Sequence, residues 1–421
     1  LVRFLSFIER WDLSGMPIYC AMTDLSPIVF CHSLFGWGEG MFGGYPYFVG
    51  VHRLLKKKGA SLPPALFPST GPISSLHDQA CELFYQLKGG RVNYGKAHSQ
   101  KYGHAQYGRT YDIPLYSIWD SAHPLDFVGH SMGAPVIRML QHLLAENFFS
   151  AEDECDYSCS ASWVRSLTSV AGVHNGSTLT WVLGFDEDTS EVPSNAWAIQ
   201  LITRAFSKYA ALQARKRESA DFYDLHLEHW GIANARDLGF SIERVLSDPR
   251  FMLSGDWAFH DLTPNAMEAF NRRTRDYPDT RYYSFSIRST ISLPIGISLP
   301  VPYATHFFLI PFSFAMGKYK CASKKWKAVF SRSWRANDGM CNTWSQNCPK
   351  LGREDTYGRF PRPVRYRLTS KKIPPKGVWL WVSSLRFVDH AEVAMLPHLL
   401  RLSFSTRFYR RIFYLVTKTR E

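Results

Sequence analysis

The residues best suited to chemistry stand together at Gly129-His130-Ser131-Met132-Gly133. This run fits the pattern Gly-x-Ser-x-Gly, in which the two glycines let the chain turn so sharply that the serine hydroxyl projects from a strand end. The pattern alone is weakly specific, because glycine and serine are common. Its surroundings add specificity, since Leu125 to Val128 is an apolar run typical of a buried strand, and Met132 to Leu144 has apolar residues at helical spacing. The sequence therefore predicts strand, sharp turn and helix around Ser131.

A nucleophilic serine needs a base to take its proton, an acid to orient that base, and donors for an oxyanion. With this pattern the acid and then the histidine follow the serine along the chain. Two candidates follow in that order, Asp338 in the polar turn Asn337-Asp338-Gly339 and His390 in Asp389-His390, after the apolar stretch Val378 to Val382. By spacing alone, each of these residues is more often an ordinary turn or surface residue, so both readings stay open.

Two further segments indicate the architecture that positions these residues. Pro27 to Cys31 is a short apolar run that leads into the glycine-rich stretch Phe35 to Gly38, and Leu167 to Val173 is another apolar run that ends in a loop. Strands that alternate with helices predict an α/β fold with a parallel sheet.

The charge balance restricts the partners. The chain has 421 residues and a formal net charge of +13, which favours anionic partners. Basic residues are scattered except at Lys56 to Lys58, Arg215 to Arg217 and Lys318 to Lys327, and no nucleic-acid-binding motif accompanies them. We expect a basic surface on a soluble domain and no nucleic-acid partner.

An uncharged stretch, Ser289 to Gly317, is long enough to suggest a membrane span. Its prolines, which would each break a spanning helix, are Pro294, Pro300, Pro302 and Pro311. We predict strands and loops there. At the N terminus, apolar Leu1 to Ile8 is ended early by Glu9 and Arg10, so the sequence neither indicates nor excludes a signal peptide.

Several motifs together resemble the thermoalkalophilic bacterial lipase family. They are Trp37-Gly38, Gly89 to Gly95, Gly103-His104-Ala105, Gly108-Arg109-Thr110-Tyr111, Asn337-Asp338-Gly339 and Val388-Asp389-His390. The resemblance runs from about Pro27 to Ser286 and from about Trp334 to Val393. It implies an α/β-hydrolase fold, with a mostly parallel central sheet flanked by helices, a helical lid and a zinc-bound insertion. The implied activity is that of a triacylglycerol lipase.

The resemblance also assigns catalytic roles. It implies a triad of Ser131, Asp338 and His390, in the order that the chemistry requires, and an oxyanion hole made by the backbone N–H groups of Leu34 and Met132. Ser33 stands where the family has glycine, so we expect its side chain to strain the loop or crowd the acyl group.

Metal ligands are implied in the same way. The family holds a structural zinc with two Asp and two His, and the matching positions are Asp78, His98, His104 and Asp256. Without the resemblance, a His-x5-His pair is more often two surface or core histidines. For calcium, the family's acidic residue two positions after the histidine is Glu392, but a second ligand position holds Pro397. We therefore do not predict bound calcium.

The segment Asn195 to Leu212 corresponds to the family's lid helix. Its apolar face comprises Trp197, Leu201, Ile202, Ala205, Phe206 and Leu212. Such a stripe fits a core helix as well as a lid, and the resemblance favours a lid that covers the site in water and turns to lipid on opening.

The predicted organisation is an N-terminal extension over 1–26, one hydrolase domain over 27–403 and a C-terminal tail over 404–421. The domain holds the zinc insertion at about 71–112 and the lid region at about 184–260. The expected partners are a lipid ester and the lipid–water interface, with no obligate protein partner. The resemblance implies a secreted or membrane-surface location.

Three functions are compatible with these residues. The first is a lipase or carboxylesterase that hydrolyses acylglycerols through an acyl-enzyme. The second is a phospholipase or acyltransferase on the same triad. The third is a non-catalytic hydrolase-fold protein, motivated by Ser33 and by the divergent stretch Thr290 to Phe330.

Overall fold

The computed structural model describes residues 26–153, 158–192, 223–232, 245, 248–370, 372–398, 401–418 and 420. Within these residues the strands are β1 Ile28–Cys31, β2 Ala65–Leu66, β3 Gly90–Asn93, β4 Tyr107–Tyr111, β5 Leu125–His130, β6 Val164–Val170, β7 Arg281–Arg288, β8 Thr290–Ser292, β9 Ser298–Pro300, β10 Val364–Arg365 and β11 Trp379–Arg386. The helices are α1 Val49–Lys58, α2 Leu76–Lys88, α3 Lys96–Tyr102, α4 Gly133–Ala145, α5 Phe148–Asp153, α6 Thr178–Val182, α7 Pro249–Leu253, α8 Ala258–Asp261, α9 Pro264–Arg273, α10 Ile310–Lys318, α11 Lys324–Val329 and α12 Phe404–Lys418. Short 3₁₀ turns span Phe42–Gly44, Gly59–Ser61, Ala161–Trp163, Glu228–Trp230, Pro302–Ala304, Arg332–Arg335 and Thr343–Gln346.

A parallel sheet organises the fold. In the described part of the chain it has seven strands in the order β10-β11-β7-β6-β5-β1-β2, and each neighbouring pair is parallel. Parallel strands end at the same edge, so the loops that follow β1, β5 and β11 meet there. These loops contain Leu34, Ser131 and His390, respectively.

Both faces of the sheet are buried, and strand β1 shows why. Ile28 and Phe30 belong to one hydrophobic core, whereas Val29 and Cys31 belong to another. Successive side chains in a strand point to opposite faces, so a continuous apolar run suits a strand covered on both sides. Helices α2 and α4 cover one face, while α1 and α12 lie on the other.

The last segment is a helix rather than the expected tail. Helix α12 packs against α1, and its buried side chains include Phe408, Tyr409, Ile412, Phe413, Leu415 and Val416. Apolar residues at spacings of three and four make one face of a helix, and burying each such side chain contributes about 1.5–3 kcal/mol. Residues 404–418 therefore pack as part of the fold.

The uncharged stretch after β7 differs in part from its prediction. Strands β8 and β9 form an antiparallel hairpin, as expected, but Ile310–Lys318 is helical. Pro311 lies in the first turn of α10, where proline costs no hydrogen bond, so it does not break the helix. No helix within the described ranges is long and apolar enough to cross a membrane.

The lid prediction concerns residues that lie outside the described part of the chain. Trp197, Leu201, Ile202 and Phe206, with the rest of Asn195 to Leu212, fall between the described ranges 158–192 and 223–232.

Candidate active site and metal centre

Ser131 occupies a sharp turn between a strand and a helix. Strand β5 ends at His130 and α4 begins at Gly133, so only Ser131 and Met132 lie between them. Ser131 has φ 55°, in the left-handed region that a residue with a side chain seldom adopts. Its backbone N–H donates to the Val170 carbonyl of β6 at 2.9 Å, which fixes this conformation.

The glycines of the motif are required by close packing. A Cβ on Gly129 would lie 2.5 Å from the backbone nitrogen of Ala134. A Cβ on Gly133 would lie 2.4 Å from the carbonyl oxygen of Cys31 in β1. No real Cβ atom makes such contacts, so helix α4 can begin this close to the sheet only with glycine at both positions.

The predicted acid and base lie together, although they are 52 residues apart in sequence. His390 Nδ1 is 2.8 Å from Asp338 Oδ2, and the His390 backbone N–H donates to the Asp338 carbonyl at 3.0 Å. Because a carboxylate accepts, Nδ1 carries the proton and Nε2 keeps a lone pair. Nε2 is buried and has no hydrogen-bond partner among the described residues. It is therefore available to accept a proton.

Asp338 is held in place by further donors. Its Oδ1 accepts from the backbone N–H groups of Met340 at 2.9 Å and Cys341 at 2.7 Å. Its Oδ2 accepts from the Gln346 side chain at 2.9 Å as well as from His390. No motif indicated Gln346, whose role depends on a return of the chain by the 3₁₀ turn Thr343–Gln346.

His130, the neighbour of Ser131, packs against the predicted base. The ring centroids of His130 and His390 are 4.7 Å apart, and His130 Nδ1 lies 2.8 Å from the Tyr47 hydroxyl. Burial and then the nearby His390 hold the pKa of His130 well below its ordinary value. His130 therefore stays neutral, and it brings the serine turn and His390 into contact. Its place inside the motif, directly before Ser131, is the sequence signal that could have indicated this contact.

The loop with Leu34 is ordered by a buried histidine. The Thr70 N–H donates to His32 Nε2 at 3.0 Å, and His32 Nδ1 then donates to the Ser33 carbonyl at 3.0 Å. Burial lowers the pKa of His32 to about 4, so the ring is neutral and can make both bonds. The N–H groups of Leu34 and Met132 have no acceptor within the described residues.

Ser33 does not strain this loop in the expected way. Its φ is not among the positive values, whereas Phe35 two residues later has φ 54°. Ser33 is buried, and its carbonyl also accepts from the Gly36 N–H at 2.8 Å. A side chain is tolerated at this position because its backbone conformation is an ordinary one.

The four predicted metal ligands converge. Asp78 lies in α2, His98 in α3, His104 just after α3, and Asp256 in the loop before α8. One ligand atom from each lies within 4.8 Å of all the others. His98 Nε2 is 3.2 Å from both Asp78 Oδ1 and Asp256 Oδ2, and His104 Nε2 is 3.3 Å from Asp256 Oδ2.

These side chains fit a bound cation. For bonds of about 2.0–2.1 Å, the atoms of a tetrahedral zinc site are about 3.3 Å apart, which agrees with the observed separations. Asp78 Oδ1 and His104 Nε2 are buried, and each faces another ligand of the cluster at 3.2–3.3 Å. Burial would lower the pKa of His98, but its hydrogen bonds with Asp256 and Asp78 raise that pKa to about 10. The cluster therefore favours positive charge at its centre.

A fifth residue, His229, supports the cluster and was missed from sequence. Its Nε2 donates to Asp78 Oδ2 at 3.1 Å, on the side away from His98, and the ring is fully buried. Residues that orient ligands in this way tune a metal site without binding the metal. Nothing in the sequence near His229 indicated this contact.

Comparisons with known proteins decide the family of this chain. A family model described as the lipase-like C-terminal domain matches residues 25–354 of this chain. The chain belongs to this family. The predicted resemblance to bacterial lipases is thereby confirmed.

Individual relatives agree with this family. The chain is 29% identical over 343 residues to a lipase of Staphylococcus hyicus, covering 77% of this chain and 48% of that protein. It is 28% identical to Lipase 2 of Staphylococcus aureus strain MRSA252, covering 75% of this chain and 43% of that protein. The chain thus spans about half the length of the curated relatives it matches.

Solved structures confirm the α/β-hydrolase fold, with its parallel sheet flanked by helices. EstA from Clostridium botulinum matches with a TM-score of 0.75 and 25% identity, covering 97% of this chain and 89% of that one. The Staphylococcus hyicus lipase structure matches with a TM-score of 0.70 and 25% identity, covering 94% and 96%. Lipase 1 from Pelosinus fermentans matches with a TM-score of 0.70 and 27% identity, covering 93% and 99%.

Glu392, at the position that the resemblance links to calcium, has an arginine beside it. Arg401 Nη2 donates to Glu392 Oε2 at 2.8 Å, while Oε1 is buried and has no partner among the described residues. Burial raises the pKa of Glu392 from its ordinary value of 4.5 to about 7, although Arg401 opposes this rise.

The raised pKa predicts a pH effect on stability. Since the folded pKa exceeds the unfolded one, protonated Glu392 stabilises the fold below about pH 4.5, and this contribution is lost as pH rises through about 7. As pH rises from about 4.5 to about 7, we expect the free energy of unfolding of Glu392→Gln to increase relative to that of the natural chain. Above about pH 7 this difference should stay constant. Urea unfolding of both proteins at about pH 5 and about pH 8 measures the difference. An equal pH dependence in the two proteins would contradict the assignment.

Proposed function

We propose that this domain hydrolyses ester bonds of acylglycerols, with Ser131 as nucleophile, His390 as general base and Asp338 as the group that orients His390. The observation that supports this most is the His390–Asp338 pair at 2.8 Å. His390 Nε2 has no hydrogen-bond partner among the described residues, and the His390 ring packs against His130, the residue before Ser131. The names of the relatives, lipases of Staphylococcus hyicus and Pelosinus fermentans among them, support the same reaction class.

In the proposed reaction, Ser131 Oγ attacks the ester carbonyl carbon while His390 Nε2 takes the hydroxyl proton. The carbonyl electron pair moves onto oxygen, and this oxyanion accepts from the N–H groups of Leu34 and Met132. As the intermediate collapses, the carbon–oxygen bond to the alcohol breaks and His390 gives its proton to the departing alcohol. Asp338 accepts the hydrogen bond from His390 Nδ1–H throughout and so keeps the imidazole oriented.

The acyl-enzyme is then hydrolysed by the same groups. His390 takes a proton from water, and the resulting hydroxide attacks the acyl carbon; the acid is released and Ser131 Oγ regains its proton. Neutral His130 supports this cycle, because a second charge beside His390 would oppose its protonation.

We also infer that the metal cluster binds zinc in a structural role. Two imidazoles and two carboxylates at these separations suit a closed tetrahedral site, which leaves no position for water or substrate. The ligands come from segments as far apart as Asp78 and Asp256, so a bound ion would tie them together and add to the free energy of unfolding.

A fluorophosphonate probe tests the central proposal, because it labels only an activated serine. We expect stoichiometric labelling of Ser131, and turnover of p-nitrophenyl esters and of emulsified triacylglycerol. Absence of labelling in folded protein would favour a non-catalytic hydrolase-fold protein. Faster turnover of phospholipids than of acylglycerols, or acyl transfer to an alcohol in place of water, would assign a phospholipase or an acyltransferase.

The acid and base should act as one unit. His390→Ala and Asp338→Asn each lower kcat by about 10³-fold or more, and the double variant should be barely slower than His390→Ala alone. The reason is that orienting a base has no value once the base is gone. Turnover of a soluble p-nitrophenyl ester by all three variants measures this. Losses that multiply in the double variant would show that Asp338 and His390 act independently.

A further inference from the structure

The turn that carries His390 has a buried carboxylate on each side. Asp389 directly precedes His390 and Glu392 follows it by two residues, and both acidic side chains are fully buried. A carboxylate taken out of water costs free energy unless donors or a cation offset the loss. The partners of Asp389 and Glu392 therefore determine how firmly the His390 turn is held.

Asp389 is held on both of its oxygens. Its Oδ1 accepts from the backbone N–H groups of Ala391 at 3.1 Å and Glu392 at 2.9 Å, which closes the turn around His390. Its Oδ2 accepts from the backbone N–H of His306 at 2.5 Å and lies 2.7 Å from His306 Nδ1. This side of the turn is therefore fixed to the segment that leads into α10.

In the described part of the chain, the Glu392 carboxylate has one hydrogen-bond partner, and it comes from the C-terminal segment. Arg401 Nη2 donates to Glu392 Oε2 at 2.8 Å, whereas Oε1 is buried without a partner. The Arg401 side chain is 32% exposed, and its guanidinium lies 5.9 Å from the centre of the Phe404 ring, at the start of α12. A guanidinium that stacks on a ring and pairs with a buried carboxylate is fixed in direction, unlike an arginine that extends into water.

Neighbouring hydrogen bonds attach the same loop to the helical layer. The Tyr409 hydroxyl of α12 donates to the Val393 carbonyl at 2.7 Å, and the Tyr45 hydroxyl donates to the Met395 carbonyl at 2.9 Å. Because α12 packs on α1, these donors belong to a rigid part of the fold. Arg401 extends this support to Glu392, two residues from the proposed base.

The side chains at this place do not fit the calcium site that the resemblance describes. Calcium takes about six to eight oxygen ligands. Glu392 offers one carboxylate, whose Oε2 already accepts from Arg401, and Pro397 has no side-chain oxygen at the second ligand position. A guanidinium that pairs with the carboxylate requires no added ion.

We propose that Arg401 is a positioning residue for His390: it supplies, from the chain itself, the cation that holds Glu392 and thereby the turn of the general base. This inference rests on the proposed function, since it concerns how the proposed base is held. Arg401 acts on orientation more than on stability, because the attraction within a buried ion pair seldom offsets the desolvation of both charges. Misplacement of a catalytic group by about 1 Å lowers a rate by as much as about 10²-fold.

Steady-state kinetics of the full chain on a soluble p-nitrophenyl ester test the proposal. We expect Arg401→Ala to lower kcat at least about tenfold and to leave KM within about twofold, because a displaced base slows the chemical step and not the binding of the ester. The rate constant for fluorophosphonate labelling of Ser131 should fall by a similar factor, since that reaction uses the same base. Arg401→Lys keeps a charged donor for Glu392 and should recover most of the kcat.

A double-variant cycle shows whether Arg401 acts through Glu392. Glu392→Ala should lower kcat about as much as Arg401→Ala does, and the double variant should be no slower than either, because both single variants break the same contact. Titration of the natural chain with calcium chloride to about 1 mM should give no binding heat and no shift of the Tm.

Two control variants separate this role from charge and from packing. Arg407→Ala removes the same charge from an exposed position of α12, and Phe404→Leu removes the ring beside the Arg401 guanidinium while it keeps an apolar side chain. Both leave the contact between Arg401 and Glu392 in place, so their kcat should stay near that of the natural chain. An equal loss of kcat in Phe404→Leu would assign Arg401 to the packing of α12 instead.

Several outcomes overturn the proposal. A normal kcat in folded Arg401→Ala would do so, as would losses that multiply in the double variant, or a Tm of the natural chain that rises with calcium. If Arg401→Ala does not fold, Glu392→Gln combined with Arg401→Met leaves no buried charge unpaired and should show the same fall in kcat, and a normal kcat there is equally decisive. An active natural chain with an unaffected Arg401→Ala variant contradicts only the role of Arg401, whereas a natural chain that neither labels nor hydrolyses esters contradicts the proposed function as well.

Discussion

Ser131→Ala should abolish ester hydrolysis, lowering kcat by about 10⁴-fold or more, while the folded structure persists. Ser131 Oγ would be the attacking atom, and no neighbouring group in the described site can take its place. Stability should change little, because the turn is held by the backbone bond to Val170 and by the close packing at Gly129 and Gly133, not by the side chain. Turnover of p-nitrophenyl esters and thermal unfolding of the same preparation measure both parts.

Ser169→Ala is a suitable control for this variant. Ser169 lies in the adjacent strand β6, is fully buried and makes a hydrogen bond with His174 at 2.8 Å. The Ser169→Ala variant loses a serine hydroxyl, as Ser131→Ala does, but Ser169 has no role in the proposed chemistry. Its kcat should therefore stay near that of the natural chain. If Ser131→Ala kept its turnover, the assignment of the nucleophile would be wrong, whatever the control showed.

Removal of the metal should affect stability and spare the chemistry. We expect purified protein to contain about one equivalent of zinc, and His98→Ala or prolonged chelation to lower the Tm by roughly 5 °C or more. The carboxylates of Asp78 and Asp256 would then lie buried close together without a cation between them. Well below the Tm, ester turnover should be near normal, because none of the proposed catalytic residues belongs to the cluster.

His123→Ala provides the comparison for the metal experiment. This histidine is about half exposed and pairs with Asp120 at 2.9 Å, so its loss should leave the Tm almost unchanged. Two results would contradict the structural role: less than about half an equivalent of zinc in purified protein, or a chelator that stops turnover at once without a thermal shift.

The sequence by itself determined the local features around the nucleophile. The apolar run before Ser131, the glycines and the helical spacing after it predicted strand, turn and helix, and the structure has β5, a turn and α4 at those places. This succeeded because steric limits and apolar periodicity act over a few residues. Ser33 shows the limit of such local reasoning. The family has glycine at this position, but the φ of Ser33 is not positive, so the position does not require glycine.

Only the tertiary structure decided which distant residues meet. Asp338 and His390 were merely candidates by order, and the remote carboxylates Asp78 and Asp256 came from the resemblance, not from spacing. Contacts with no sequence signal include Gln346 on Asp338 and His229 on Asp78. The physical reason is that such pairs are set by sheet order and by where each loop returns to the sheet edge. The apolar face of Phe408 and Ile412 was readable in the sequence, but the surface that it covers was fixed only by the packing of α12 on α1.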